Sequence, residues 1–404
     1  MNTRSLFKPL AISLTLLGAS CPTFAHNAPT NDVPPKISPA PTVDTEPTPP
    51  TAASYPPPLD ESQMFSVYGH WDSELVSNLK GGIRTGSAFN SVAVGGITLR
   101  GDDLGLPDTL LNLSVMGIRA GHANGNLIGD TLGSSNIEGT RSRVLLDTAF
   151  WQQNWLTRPG LRINTRLGMF DINSEFTGTD NAAQLLNGSF GPDPAMTGNF
   201  TASTFPLNGT GLVATVDNGT GAAKPTGFAP LTLKIGLLQG ETNQQTQPFN
   251  QGVLNIVEGQ WRPQDGSTLK IGVWRKRGYG RPNLQGAYLS GEQNLFSGDG
   301  TALDGFVRAS TVHSDTPDAL TLDRYLGAGV NWQGPLAGRP DDFLTLGVGQ
   351  ARFQPSGRHE RLIEIAYIFR VNDRVFLQPD LQYIDRPSGT LPAAWVATLR
   401  LHLE

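Results

Sequence analysis

The run Trp395-Val396-Ala397-Thr398-Leu399-Arg400-Leu401-His402-Leu403-Glu404 decides the fold class. Successive side chains of a β-strand point to opposite faces, so Leu399 and Leu401 share an apolar face while Arg400 and His402 share a polar one. The apolar face could meet a protein core. In an exported chain it could instead meet lipid, with the polar face lining a water-filled lumen. The function depends on which of these two environments the strand has.

The same alternation recurs along most of the chain. Residues 161–169 place Arg162, Asn164 and Arg166 on one face, and residues 361–371 place Ile363 and Ile365 on the face opposite Glu364. Further strands are predicted at 92–100, 110–119, 143–152, 231–239, 253–261, 268–276, 305–312, 322–332, 343–353 and 377–385.

The number of strands favours a barrel. About 340 residues follow the proline-rich segment, and an outer-membrane strand with its turn or loop uses roughly 20 residues. The expected fold is therefore all-β, an antiparallel transmembrane β-barrel of about 16 strands, a size that leaves an aqueous channel open. A pair of β-sandwiches remains the alternative, but it does not explain charged residues on the polar face with aromatic residues near strand ends.

The N-terminus predicts export. Arg4 and Lys8 precede the apolar run 10–19, and Thr23-Phe24-Ala25 is a small-x-small cleavage site, so residues 1–25 are predicted to be a signal peptide. A lipobox ending at Cys21 is the competing interpretation. Residues 26–62 alternate proline with Thr, Ala and Ser, which predicts a disordered Pro-rich linker. The barrel domain is then 63–404.

Composition excludes several function classes. Cys21 is the only cysteine, so the mature chain would have no disulfide, thiolate metal site or cysteine nucleophile. The six histidines are isolated, and no HExxH, GxSxG or P-loop pattern occurs. The formal net charge of -5 comes with dispersed Lys and Arg, which gives no basic stripe for nucleic acid. We expect no enzyme activity, no metal and no cofactor.

Two segments are not strand-like. Residues 172–230 are rich in Gly, Asn, Thr and Pro around a short predicted helix at 180–186, and residues 278–304 are also polar and Gly-rich. Loops this long are normally functional or disordered. Inside a barrel, the first of them could fold into the lumen and narrow a pore.

Several stretches together resemble the carbohydrate-selective porin family of Gram-negative outer membranes. Residues 170–176 (FDINSEF) with 179–183 and 186–191 are similar to its central signature, 145–155 (LLDTAFWQQNW) to the preceding strand, and 377–384 (LQPDLQYI) to the closing hairpin. The resemblance implies an outer-membrane porin for passive diffusion of monosaccharides such as glucose, and of related polyols, into the periplasm. It also implies an arginine-lined eyelet with a carboxylate and aromatic residues. Outer-membrane lipid would surround the barrel, as a monomer or a homotrimer.

The candidate lumen residues are polar-face groups in and near the strands around the signature. Arginine and carboxylate side chains can hydrogen-bond to sugar hydroxyls, and an aromatic ring offers a flat apolar surface. Arg143 and Asp147 share a predicted face with Trp151, at spacings of four. For each residue the alternative is a solvated lumen group or an ion pair that stiffens the wall. The full set is Arg119, Glu138, Arg141, Arg143, Asp147, Trp151, Arg162, Arg166, Glu175 and Asp180.

Two rival functions remain open at this level. Arg119, Arg162 and Arg166 are compatible with a general or anion-preferring porin. A secreted carbohydrate-binding β protein that never enters lipid would also show alternating strands.

Overall fold

The computed structural model describes residues 63–218, 230–243, 247–263, 266–279 and 281–404. The predicted signal peptide and linker lie outside the described residues. The strands are β1 (Phe65–Lys80), β2 (Gly86–Arg100), β3 (Thr109–Arg119), β4 (Arg143–Arg158), β5 (Leu161–Phe170), β6 (Gly209–Asp217), β7 (Leu231–Gln239), β8 (Val253–Trp261), β9 (Ser267–Arg277), β10 (Leu284–Gly298), β11 (Thr301–Ser314), β12 (Leu322–Gln333), β13 (Phe343–Phe353), β14 (His359–Asn372), β15 (Val375–Asp385) and β16 (Ala394–Leu403).

These 16 strands form one closed antiparallel barrel. Each strand pairs with its neighbours in sequence, and β1 pairs with β16, where Glu74 lies opposite Arg400. Closure removes the free edges that an open sheet would expose, so the backbone groups of all strands find partners. The predicted fold class and strand number are confirmed.

The two faces of the wall follow the alternation in the sequence. In β16, Leu399 points outward with 52% of its surface exposed, while Arg400 points inward and is buried. In β14, Ile363 points outward and Glu364 inward. The outer face is therefore apolar, and the polar face encloses the lumen.

Tryptophans near the strand ends lie on the outer face. Trp155 donates its indole N–H to Thr165 Oγ1 of the next strand at 2.9 Å, and Trp332 donates to Thr301 Oγ1 at 2.9 Å. A lipid-facing indole needs such a partner because hydrocarbon cannot accept its hydrogen bond. These positions fit the aromatic girdles of membrane barrels.

The two ends of the barrel differ in their connections. At the turn end, β4 and β5, β10 and β11, and β14 and β15 are joined by 159–160, 299–300 and 373–374. At the loop end, 120–142 join β3 to β4, and 171–208 join β5 to β6. We call 171–208 the inserted loop and 120–142 the second loop.

Two predictions about non-strand segments are wrong. The segment 172–230 contains β6, and 278–304 contains all of β10 and the start of β11. Glycine and serine conceal β10 in the sequence because they lower its β-propensity, yet it pairs with both β9 and β11. Inward Gly272 of β9 leaves room for the ring of Tyr288.

Helical structure within the described ranges is limited to short turns. Within the inserted loop, α1 (Ile172–Glu175) and α2 (Pro194–Thr197) form, and Ala182–Gln184 forms a 3₁₀ turn inside the predicted helix. Among the described residues, no helix has the length and apolar content to cross a membrane.

Candidate functional site: a lumen divided by an inserted loop

The inserted loop lies inside the barrel. Its apolar side chains are almost fully buried and pack into one cluster with inward residues of the wall. From the loop the cluster takes Ile172, Phe176, Leu185, Phe190 and Met196, and from the wall Leu254, Ile256, Trp274, Phe306 and Tyr325. Burial of this apolar surface, at about 25 cal/mol per Å², supplies the main force that holds the loop within the lumen.

Wall carboxylates accept hydrogen bonds from backbone N–H groups of the inserted loop. Such groups would otherwise be unpaired in a buried setting, which costs about 1–3 kcal/mol each. The pairs are Glu258 with Thr177 N (3.1 Å), Glu292 with Asn181 N (2.6 Å) and Glu364 with Asn187 N (3.2 Å).

Wall cations and amides complement this pattern by donating to carbonyl groups of the same loop. Lys270 donates to the carbonyl of Gly178. The other pairs are Lys234 Nζ with Glu175 O (2.8 Å), Arg308 Nη1 with Ser189 O (3.0 Å) and Gln378 Nε2 with Gln184 O (2.7 Å). These inward charged residues therefore hydrogen-bond mainly to the inserted loop.

The second loop is bound in the same way near the seam between β1 and β16. Arg400 Nη2 donates to Glu74 Oε2 at 2.7 Å and to Asn136 Oδ1 of the loop at 2.7 Å. The side chains of Arg400 and Glu74 are 8% and 0% exposed. Arg400 is inward, as predicted, but it bridges a strand to a loop.

A partly exposed cluster lies where β4 and β5 meet the start of the inserted loop. Arg166 donates to Gln152 Oε1 at 2.8 Å, its guanidinium lies 4.2 Å from the ring centre of Phe150, and it forms an ion pair with Glu175. Lys234 lies 3.1 Å from the other oxygen of Glu175. The Arg166 side chain keeps 19% of its surface exposed. We call these five residues the Arg166 cluster.

The carboxyl of Glu175 stays ionised because of its neighbours. Burial would raise its pKa, but Lys234 and Arg166 outweigh that effect and lower the pKa below its usual value. Arg166 and Glu175 were both candidates from the sequence, and the structure brings them into contact.

Asp171 caps α1 and has the opposite electrostatics. Its side chain accepts from Asn173 N at 2.7 Å and from Thr204 Oγ1 at 3.1 Å. Burial without a cationic partner raises the pKa of Asp171 to about 6, and the hydrogen bonds only partly offset this.

Asp147 and Arg143 lie on the inward face of β4. Asp147 accepts from Ser114 Oγ at 2.9 Å and from Asn208 Nδ2 of the inserted loop at 2.9 Å. Arg143 is half-buried, and its Nε and Nη2 atoms have no hydrogen-bond partner among the described residues. These two donor atoms are themselves buried.

The predicted shared face of Arg143, Asp147 and Trp151 is wrong. Opposite Ser114, β4 has two residues where β3 has one, which is a β-bulge beginning at Asp147. The extra residue reverses the alternation, so Trp151 points outward and packs edge-on against Trp155 with ring centres 6.3 Å apart. Phe150 takes the inward aromatic position that Trp151 was expected to fill.

The placement of Arg119 in the lumen is also wrong. Arg119 has the same parity as Leu113 and Val115, which point outward. Its guanidinium lies 5.1 Å from the ring centre of exposed Phe89. Arg119 therefore lies on the outer face at the loop end of β3.

Glu138 and Arg141 belong to the second loop. Glu138 accepts from Asn124 N at 3.0 Å, and burial raises its pKa. Arg141 is exposed. Both are outside the Arg166 cluster, and Glu138 mainly holds its own loop together.

Arg162 and Asp180 lie away from the cluster as well. Arg162 shares the inward face of β5 with Arg166 but is at the turn end, opposite Asp217 of β6. Asp180 is exposed on the inserted loop. The alternation therefore predicts the correct face for Arg162. The position of Arg162 along the barrel axis, at the turn end, separates it from the Arg166 cluster.

The sequence reasoning missed Lys234, Lys270 and Arg308. Their signal was present: in β7 the outward residues Leu231, Leu233 and Ile235 alternate with Thr232 and Lys234. The candidate residues come only from strands that are next to the signature in sequence. Barrel closure brings strands that are distant in sequence to the same loop.

The part of the chain that the structure describes contains no group of three or more His, Cys, Asp or Glu residues placed to hold a metal ion.

The closed 16-stranded barrel with a loop folded into its lumen and an apolar outer face defines the porin class of membrane channels. The model of the family described as "Carbohydrate-selective porin, OprB family" matches residues 102–293 and 281–404. The chain belongs to this family, whose fold makes a channel in the outer membrane. The alternative of a secreted carbohydrate-binding protein is wrong.

Solved structures agree on the fold. Pseudomonas putida OprB, determined at high pH, has 16% sequence identity with this chain and a TM-score of 0.70, covering 84% of this chain and 94% of that one. Salmonella typhi OmpF has 11% identity and a TM-score of 0.56, covering 84% and 97%. The anion-selective porin from Comamonas acidovorans has 11% identity and a TM-score of 0.52, covering 84% and 98%. A search of curated protein sequences found no match.

Proposed function

We propose that this porin lets monosaccharides such as glucose, and related polyols, diffuse passively into the periplasm. The single observation that carries the proposal is the Arg166 cluster, in which Arg166 and Lys234 stay partly exposed beside buried Phe150 and Glu175. It offers a charged donor, a carboxylate, an amide and an aromatic ring within one stretch of the wall. Sugar hydroxyls need such donors and acceptors, and the C–H faces of a pyranose need an apolar surface.

Residues on the same wall support a path past the cluster. Half-buried Arg143 lies on the inward face of β4, and Asp147 is held in position by Ser114 and Asn208. Individual contacts of this kind are weak, which suits conduction because a permeating solute must be released as well as captured. Of the residues predicted from sequence, we propose Arg143, Asp147, Arg166 and Glu175 as solute contacts.

Planar-bilayer recording tests this function. Purified protein should give stable ion-conducting steps whose current falls in a saturable manner as glucose is added. Arg166→Gln should weaken that effect, while Arg119→Gln, on the outer face, is the matched control and should leave it unchanged. Conductance that glucose does not alter would contradict a sugar path.

An anion-preferring channel is the second candidate. Lys234 and Arg166 flank a single carboxylate, and Lys270 lies nearby on the same inward face. Reversal potentials in a salt gradient distinguish the two functions, since a sugar channel needs little charge preference. A strong anion preference without any effect of glucose would favour this candidate.

The outer face is proposed to contact membrane lipid, as a monomer or a homotrimer. Sedimentation of the detergent-solubilised protein, with the mass of bound detergent known, measures the oligomeric state. A mass of one chain excludes the trimer, and a mass of three chains supports it.

A further inference from the structure

Arginines form a row on the outer face at the loop end of the barrel. The row consists of Arg275 and Arg277 of β9, Arg324 of β12, Arg352 of β13 and Arg361 of β14. Their parity is that of the exposed apolar residues of the same strands, for example Val273 and Leu326. They therefore point away from the lumen, so the solute path leaves them without a role.

Strand register divides this row into two groups, because β10 and β11 lie between the arginines of β9 and those of β12, β13 and β14. Arg275 lies opposite Asn255 on one side and Gln285 on the other. Arg324 lies opposite Arg352, so two guanidinium groups are direct neighbours on one face. Like charges in this position repel each other, and an anion between or above them would relieve the repulsion.

The turn end of the same outer face is different. Its outward positions are aromatic or aliphatic, for example Trp155, Leu231, Trp261, Trp332 and Phe369. The basic row is thus specific to one end. Longer loops mark the extracellular side of outer-membrane barrels, so the arginines lie at the level of the outer-leaflet headgroups.

Acidic partners do not neutralise the whole row. Asp323 pairs with Arg352, and Asp385 accepts hydrogen bonds from Arg386 and forms an ion pair with Arg361 at 3.6 Å. Arg275 and Arg277 are exposed and have no hydrogen bond or ion pair among the described residues. The β9 portion of the row retains its positive charge.

A groove of about 500 Å³ adjoins Arg275 on the outer face. Its upper part is polar and its lower part apolar, and it lies where small residues of β10 leave a depression between β9 and β11. The polar lining is Asn255, Arg275, Gln285 and His313, and the apolar lining includes Val257, Val273 and Ala287.

We propose that this groove and the arginine row bind a phosphate-bearing anionic lipid of the outer leaflet. Phosphate groups would contact Arg275 and Arg277 at the β9 side of the groove and Arg324 at the β12 side, and an acyl chain would occupy the apolar part of the groove. Guanidinium groups bind phosphate through paired N–H donors, and basic pockets at headgroup level recognise anionic lipids. The proposal does not depend on which solute crosses the lumen.

The combination of charge and groove favours a lipid over other occupants. A free phosphate ion would bind only the arginines and would leave the apolar part of the groove unfilled. A second copy of this chain would have to place carboxylates against the row, but Asp323 and Asp385 are already engaged by arginines.

The test uses the full-length protein in a neutral detergent, titrated with bisphosphorylated lipid A. We expect saturable binding that high salt weakens, and binding at least about tenfold weaker for the Arg275→Gln/Arg324→Gln variant. The matched control is Arg158→Gln/Arg374→Gln at the turn end, which removes the same charge and should bind like the unchanged protein. Ala287→Trp fills the groove without altering charge and should also weaken binding.

Three results would overturn the proposal. Dephosphorylated lipid A binding as well as the bisphosphorylated form would remove the role of the arginines. Inorganic phosphate competing at equal concentration would indicate a free-anion site. Loss of an oligomer in the Arg275→Gln/Arg324→Gln variant, with lipid binding unchanged, would assign the face to a second copy. Heat-modifiable migration on a gel confirms that each variant is folded.

Discussion

Two walls of the lumen use the same residue types for different purposes. On β8, β10 and β14, inward glutamates, fully buried on β8 and β14, accept hydrogen bonds from backbone N–H groups of the inserted loop. On β4 and β5, Arg166 is held by side chains and remains partly exposed. The difference teaches that an inward charge in a barrel is not by itself a pore residue. The exposure that remains after it has bound its partners decides whether it can also face the solute.

The largest effect is expected at the seam between β1 and β16. Arg400→Met should destabilise the barrel by about 3–5 kcal/mol, because it leaves Glu74 as a buried unpaired charge. The double variant Glu74→Leu/Arg400→Met should recover much of that loss. Urea unfolding from lipid vesicles measures both. A single variant as stable as the unchanged protein would show that the pair is solvated.

A somewhat smaller effect is expected for a loop-supporting glutamate. Glu364→Ala should cost about 2–3 kcal/mol, since the N–H groups of Leu186 and Asn187 lose their acceptor. Single-channel current should also become noisier as the inserted loop loosens. Glu364→Gln keeps an acceptor oxygen and serves as the control. Equal noise in the Ala variant and the unchanged protein would argue against a supporting role.

For Arg166, on the partly exposed wall of β4 and β5, we expect a small effect on stability and a larger effect on the response to glucose. Arg166→Gln should change stability less than Arg400→Met does, because Lys234 remains as an ion-pair partner of buried Glu175. It should weaken the effect of glucose on conductance about tenfold, the loss typical of a hydrogen bond to a charged group. A large stability loss with unchanged glucose response would move Arg166 into the loop-supporting class.

The smallest effect concerns pH. The pKa of Asp171 is about 6 in the folded barrel, above its value in an unfolded chain. The folded state therefore holds an extra proton between about pH 4 and 6, and stability falls as pH rises through that window. With discount for partial solvent screening, the change should be about 1 kcal/mol. Asp171→Asn should remove this dependence, and an identical pH profile in both proteins would contradict the assignment.

Much of the fold could be predicted from the sequence because each strand carries its own alternation. β14 and β16 are clear cases, because their outward apolar residues alternate with residues that face the lumen. β10 was missed because Gly and Ser weaken the pattern, and only its pairing with β9 and β11 defines it as a strand.

The site was less predictable, for two physical reasons. One extra residue at the bulge in β4 reverses the faces beyond Asp147, so Trp151 and Phe150 exchange roles. Contacts such as Lys234 with Glu175 join residues far apart in sequence, and only closure of the barrel brings them together. Arg166 was found from the alternation in residues 161–169, and Glu175 because it begins the long loop within the FDINSEF segment.

Cysteine accessibility tests the division of the lumen most directly, since the only native cysteine, Cys21, lies in the predicted signal peptide. Gln152→Cys lies in the Arg166 cluster, and Ser290→Cys lies on the inward face of β10, buried on the loop-covered wall. A charged thiol reagent should react quickly with Gln152→Cys, alter the single-channel current, and be slowed by glucose, while Ser290→Cys stays unreactive. Equal reactivity at the two positions, or no protection by glucose, would contradict the account.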